Sequence, residues 1–189
     1  MMPYRTIKRT VLVILLGSVC FLFGYLYFGR NVSAVISGPT ASEGGGPPAP
    51  VMQQIRMLKE AIAANPNDGK SYCDLANLYF QANKFDQATN LYEKAVQING
   101  NDIVARNDLA LCYHIAKREK DALNQLETAL RISPGSQHLW LTLGLIRYET
   151  GKTNEARKAL SKAESLDPKS EAGTEARSML ASLAQSRPK

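Results

Sequence analysis

Residues 107–132 read NDLALCYHIAKREKDALNQLETALRI. Leu109, Ala110 and Tyr113 share one face of a helix, Lys117-Arg118 interrupt it, and Ala122, Leu126 and Ala129 share one face of a second. The same arrangement stands 34 residues to either side. Leu75, Leu109 and Leu143 keep that spacing, as do Ala76, Ala110 and Gly144, then Ala88, Ala122 and Ala156, then Ala95, Ala129 and Ala163. No insertion breaks the register. The period predicts an all-α solenoid of helix–turn–helix units, none of which can bury its apolar face without stacking on a neighbour. Such a solenoid works by offering a surface to another protein.

Working outward, the pattern predicts helix pairs at about 70–82 with 85–98, 103–116 with 119–132, and 137–150 with 153–166. Asn99-Gly100-Asn101, Ser133-Pro134-Gly135 and Asp167-Pro168-Lys169 separate the pairs, and proline cannot continue a helix. An earlier helix begins at Val51, with Met52, Ile55, Leu58 (or Met57) and Ile62 as its apolar stripe, and ends at Asn65-Pro66-Asn67. A last helix over 171–184 places Ala172, Ala176, Met179, Leu180 and Leu183 on one face. It does not repeat the motif and is expected to cap the solenoid, leaving a polar side to water.

The N-terminal quarter is built differently. Thr10 to Gly29 is 20 residues without a charge, TVLVILLGSVCFLFGYLYFG. At about 1.5 Å per residue it spans roughly 30 Å, the hydrocarbon thickness of a bilayer, and is expected to be a transmembrane helix. A cleaved leader would carry an apolar region of only about 7–15 residues. Arg5, Lys8 and Arg9 precede the segment and Arg30 alone follows, so the positive-inside bias puts residues 1–9 in the cytoplasm and the repeats across the membrane. Residues 30–50 form a linker rich in glycine and proline.

The net charge of +6 divides evenly. Residues 1–50 carry four cations against Glu43, and residues 51–189 carry 19 cations against 16 acids. No basic run is interleaved with aromatics, so nucleic acid is not an expected partner. Cys20, Cys73 and Cys112 lack metal-ligand and redox spacing. His114 and His138 lie in different repeats, and no nucleophile elbow, metalloprotease motif or phosphate loop occurs. No catalytic residue, metal, cofactor or small-molecule substrate is expected.

The repeated positions resemble the tetratricopeptide-repeat family, whose pattern is W-x2-L-G-x2-Y…A-x3-F…P. The first repeat supplies Tyr72, Leu75, Ala76, Tyr79, Ala88, Tyr92 and Ala95; the second Leu109, Ala110, Tyr113, Ala122, Leu126, Ala129 and Pro134; the third Trp140, Leu143, Gly144, Ala156, Leu160, Ala163 and Pro168. Three positions depart from it. Arg106 replaces the opening aromatic, Arg147 replaces tyrosine, and Gly100 replaces proline, which predicts looser packing around the second repeat. The resemblance implies a right-handed solenoid with a half repeat over 51–68, repeats over 69–102, 103–136 and 137–170, and a cap and tail over 171–189.

It also implies that the first helices of the pairs line a concave groove for a protein or peptide client. By register this groove presents Cys73, Asn77, Phe80 and Gln81 in the first repeat, Asn107, Leu111, His114 and Ile115 in the second, and Leu141, Leu145, Tyr148 and Glu149 in the third. The large apolar groups among them have no evident packing task within a repeat and suggest a helix or apolar peptide as client. Some family members grip a chaperone's terminal carboxylate here. Asn77 and Asn107 resemble fragments of such a clamp, but His138 and Thr142 stand where cations are needed, so a chaperone clamp is not expected. With its anchor, the layout looks like bacterial envelope proteins such as cytochrome c maturation factors. The rival readings are a self-associating subunit of a membrane complex and an accessory to an enzyme carried by a partner.

Overall fold

Helix α1 spans Ala49–Ala64, and three antiparallel pairs follow it. They are α2 (Gly69–Gln81) with α3 (Phe85–Ile98), α4 (Ile103–Ile115) with α5 (Glu119–Ile132), and α6 (Gln137–Glu149) with α7 (Thr153–Leu166); α8 (Glu171–Gln185) ends the fold. The computed structural model describes residues 48–185, and strands are absent among them. The proposed anchor at 10–29, its basic flank and nearly all of the linker lie outside the described residues. Among those described, no helix is long and apolar enough to cross a membrane. Residues from Pro50 onward form one unit of the chain, with Met1–Ala49 as another.

Helix α1 starts two residues before the expected Val51, with Pro50 in its first turn. Proline is tolerated there because first-turn N–H groups have no partner within the helix. Asp68 caps α2 by accepting from the Lys70 and Ser71 backbone N–H groups, and Asp102 caps α4 by accepting from those of Val104 and Ala105.

The three turns within pairs are one structure repeated. Asn83, Lys117 and Gly151, spaced by the period, have φ of 57°, 61° and 78°. After each, the chain closes back on the helix it has left. Lys84 N–H donates to Tyr79 O, Arg118 N–H to Tyr113 O and Lys152 N–H to Arg147 O, each at 2.8 Å. Asn83, Lys117 and Gly151 themselves donate to Phe80, His114 and Tyr148 carbonyls. This is the Schellman ending, which orients every second helix alike.

The core runs along the pairs. Ala76, Ala88, Ala110, Ala122, Ala129, Ala156 and Ala163 are 0% exposed, with Tyr92, Leu109, Leu126 and Leu160 filling the space beside them at 1% or less. The second repeat is not loosened. Arg106 Nε donates to Gly100 O at 2.7 Å and its NH1 to Gln125 Oε1, tying the inter-repeat turn to α5. Trp140, one period on, donates its indole N–H to Pro134 O at 2.8 Å. Arginine thus makes the hydrogen bond that the aromatic position makes in the third repeat. Arg147 does not leave a gap either, since it pairs with Glu155 across α6 and α7 at 3.0 Å.

Helix α8 packs on α7 and also touches α6. Ala172, Ala176 and Leu183 are 3%, 0% and 2% exposed. The Gln137 side chain holds the joint. Its amide N–H groups donate to Ala163 O and Asp167 O, and its carbonyl accepts from the Ser170 hydroxyl. Gly173 sits against the same joint, where an added Cβ would lie 2.0 Å from Asp167 O. At the opposite end α1 buries no residue, and Met52 and Met57 are 54% and 59% exposed.

Two substitutions test the packing and the turns by chemical denaturation of a fragment covering 48–189. A Cβ on Gly144 would meet Leu160 Cγ and Cδ2 at 2.6 Å, and Leu160 is fully buried and unable to retreat. Gly144→Ala is expected to destabilise by about 1–3 kcal/mol, although alanine favours a helix by about 1 kcal/mol. Lys117→Gly relieves the left-handed backbone and is expected to stabilise by about 0.5–1 kcal/mol after glycine's extra chain entropy.

Candidate partner-binding groove

The groove positions lie on α2, α4 and α6, but they are not equally open. Gln81 is exposed and Tyr148 is 40% exposed; Asn77, Phe80, Leu111, Ile115 and Leu145 are half-buried. Asn107, His114 and Leu141 are buried, with exposures of 6%, 8% and 2%. These three are not free to meet a client as the register reading implied. First helices contact one another directly, α4 with α6 and α6 with α8, so residues in those seams are covered. Nor does every apolar position lack a packing task. Phe80 meets Phe85 edge to face with ring centroids 5.3 Å apart and packs on the core.

His114 Nε2 and Glu149 Oε2 lie 2.5 Å apart across the seam of the second and third repeats, with side chains 10% and 15% exposed. The pair ties α4 to α6 with a hydrogen bond spanning 35 residues of sequence. Sequence reasoning placed both residues in the groove without pairing them.

A polar cluster lies where the first repeat meets the second. The Tyr92 hydroxyl, on a side chain 1% exposed, donates to Asn77 Oδ1. Asn107 Nδ2 donates to Asp108 Oδ1 at 3.3 Å, while Asn107 Oδ1 is buried without a hydrogen-bond partner among the described residues. A buried carbonyl left so costs about 1–3 kcal/mol. Asp108 is half-buried and has no ion-pair partner among the described residues. Burial pushes its carboxyl up to about 7; the Asn107 amide opposes the rise and the Asp102 charge adds to it. Burial, with the carboxylates of Asp102, Asp108 and Asp74, raises the Cys73 thiol to about 12, so Cys73 is not a reactive thiolate. Cys73 and Cys112 form no disulfide. The sequence reading passed over Asp108. The available signal was its register with Asp74, one period upstream, and its place between buried Asn107 and Leu109.

Among the described residues no three or more histidine, cysteine, aspartate or glutamate side chains are grouped to hold a metal ion. What these positions offer is half-buried apolar surface broken by acceptor-rich polar groups.

Residues 69–102 match one model of the tetratricopeptide repeat and residues 114–183 match another. The chain belongs to the tetratricopeptide-repeat family. Its fold is similar to that of the first TPR of Spaghetti (RPAP3) bound to the HSP90 peptide SRMEEVD, at 22% identity and a TM-score of 0.54, over 70% of this chain and 92% of that one. It is also similar to MamA, at 19% identity and a TM-score of 0.60, over 72% of this chain and 78% of that one. A second MamA structure aligns at 19% identity and a TM-score of 0.58, over 69% of this chain and 81% of that one. At such identities the likeness is one of fold. No curated protein matches the chain.

The raised carboxyl of Asp108 sets a pH dependence. The folded chain holds this proton more tightly than the unfolded one, so its contribution to stability falls as pH rises from about 4 to about 7. Asp108→Asn keeps the shape and removes the titration. Urea midpoints at pH 4.5 and 8 should show the wild type losing about 1–3 kcal/mol more than the variant, less than the full shift implies because the residue is only half-buried.

Proposed function

We propose that this chain is a membrane-anchored scaffold that recruits a client peptide or helix through the concave row of α2, α4 and α6. The observation that carries the proposal is the mixed surface of that row: half-buried Phe80, Leu111, Ile115 and Leu145 beside exposed Tyr148 and Gln81. The RPAP3 structure, which holds a peptide of HSP90, supports a peptide partner for this fold. Residues 10–29 hold the chain in the bilayer with residues 1–9 in the cytoplasm, and the linker at 30–50 carries the repeats on the far side. The layout fits an extracytoplasmic assembly factor of a bacterial inner membrane, with cytochrome c maturation as the nearest analogy. The chain's part is binding, and any chemistry belongs to its partners.

Photo-crosslinking in native membranes tests the site. A benzoylphenylalanine at Leu145 or Tyr148 should trap a client, whereas one at exposed Lys158 on α7 should not. Equal trapping at both faces would remove the groove from the proposal, and an adduct of twice the chain's mass would favour self-association. In spheroplasts, external protease should degrade residues 51–189; their survival would reverse the orientation.

A further inference from the structure

Helix α1 stands one period before α3, as the second helix of a repeat, and no first helix precedes it among the described residues. In α3 the positions that meet a first helix are Ala88, Leu91, Tyr92 and Ala95. Helix α2 packs on them, and Ala88, Tyr92 and Ala95 are 1% exposed or less. The same positions of α1 are Gln54, Met57, Leu58 and Ala61. There Met57 is 59% exposed, Ala61 is exposed, and Gln54 and Leu58 are only half-buried. The sequence at the register of the absent first helix, 35–47, holds Pro39, Gly44, Gly45, Gly46 and Pro47, a composition that does not sustain a helix. The other end of the array is finished differently. At the register of Leu143, Gly144 and Arg147, α8 turns Arg177, Ser178 and Ala181 to solvent, the largely polar outer face that an array end needs.

We infer that α1 is a dimer interface: it packs antiparallel on α1 of a second copy, and each supplies the helix that the other's half repeat lacks. The face fits itself. About a two-fold axis between Met57 and Leu58, Met57 meets Leu58 of the other copy and Ala61 meets its Gln54, so bulk lies at the centre and a small side chain receives a longer one. No charge enters the contact. Arg56 and Glu60 lie on the side of the helix opposite Leu58, 4.0 Å from each other and each 71% exposed, and Lys59 lines the cleft that α1 forms with Tyr72 and Tyr79 of α2. The contact is small. A helix of 16 residues is about 24 Å long, and a seam about 10 Å wide along it covers about 500 Å² over both copies, under half of the roughly 1,200 Å² of a stable complex. Anchoring both copies in one bilayer raises their effective concentration and offsets this shortfall. The dimer thus rests on the anchor proposed for residues 10–29 but not on the groove, which lies on other helices and stays open to a client.

The test uses the full-length chain in native membranes with benzoylphenylalanine at Met57. Irradiation should give an adduct of twice the chain's mass, and the same label at exposed Lys94 on α3 should give none. With the label moved to Gln53, one turn away, Met57→Glu and Met57→Lys should each cut the dimer adduct about tenfold, because like charges then meet across the two-fold axis. Co-expressing the two variants should restore it to within about twofold of the unsubstituted chain, because opposite charges then meet. Met57 is exposed, so both variants should melt within about 3 °C of the unsubstituted chain. An adduct of any other mass at Met57, no adduct, or charge variants that neither lose nor recover the dimer overturn this inference and leave the groove reading standing. A chain recovered in the soluble fraction overturns the anchor, and the tethered dimer with it.

Discussion

Close backbone approach between the helices of a pair is the constraint on which the rest of this structure depends. It requires a side chain of almost no size on each helix where they cross. Ala76, Ala110 and Gly144 meet this on the first helices, and Ala88, Ala122 and Ala156 on the second, all fully enclosed. At Gly144 the requirement is absolute, because Leu160 occupies the volume a methyl group would need. Once the crossing is fixed, the leucines and Tyr92 have only the adjacent space to fill, and the apolar face of each pair turns to its neighbour. The first helices are thereby left side by side, and their shared surface is the groove.

The helices, their turns and their small-residue contacts were legible because each depends on residues within one period. The aromatic rule at the opening position was less legible. Arg106 looked like a defect, yet what its position requires is a donor reaching the carbonyl six residues back, and a guanidinium does this as an indole does. Gln137 was invisible for a related reason. Its three partners come from α7, the following turn and the start of α8, and no local pattern marks their meeting.

The groove was the least legible part. Register alone placed Asn107, His114 and Leu141 on its surface, but whether such a residue is open depends on the neighbouring first helix, some 35 residues away. His114 was already spoken for by Glu149, and Leu141 lies in a covered seam. Asp108, conversely, was not marked by any sequence pattern. Its environment became visible only when α2, α3 and α4 were assembled around it. A residue's place on a helix can be read from sequence, but its solvation belongs to the assembled repeats.

The two ends of the array differ in how firmly they are held. At one, Gln137 staples α8 into place and Gly173 admits a close backbone contact; at the other, α1 rests on the first pair without one buried residue. In a linear array, each element is stabilised only by its neighbours. Mechanical tension applied from the N-terminal side therefore meets the weakest element first. Helix α1 would peel away and lengthen the tether while the three pairs stay folded, making it a compliant spring between whatever holds the N-terminus and the repeats.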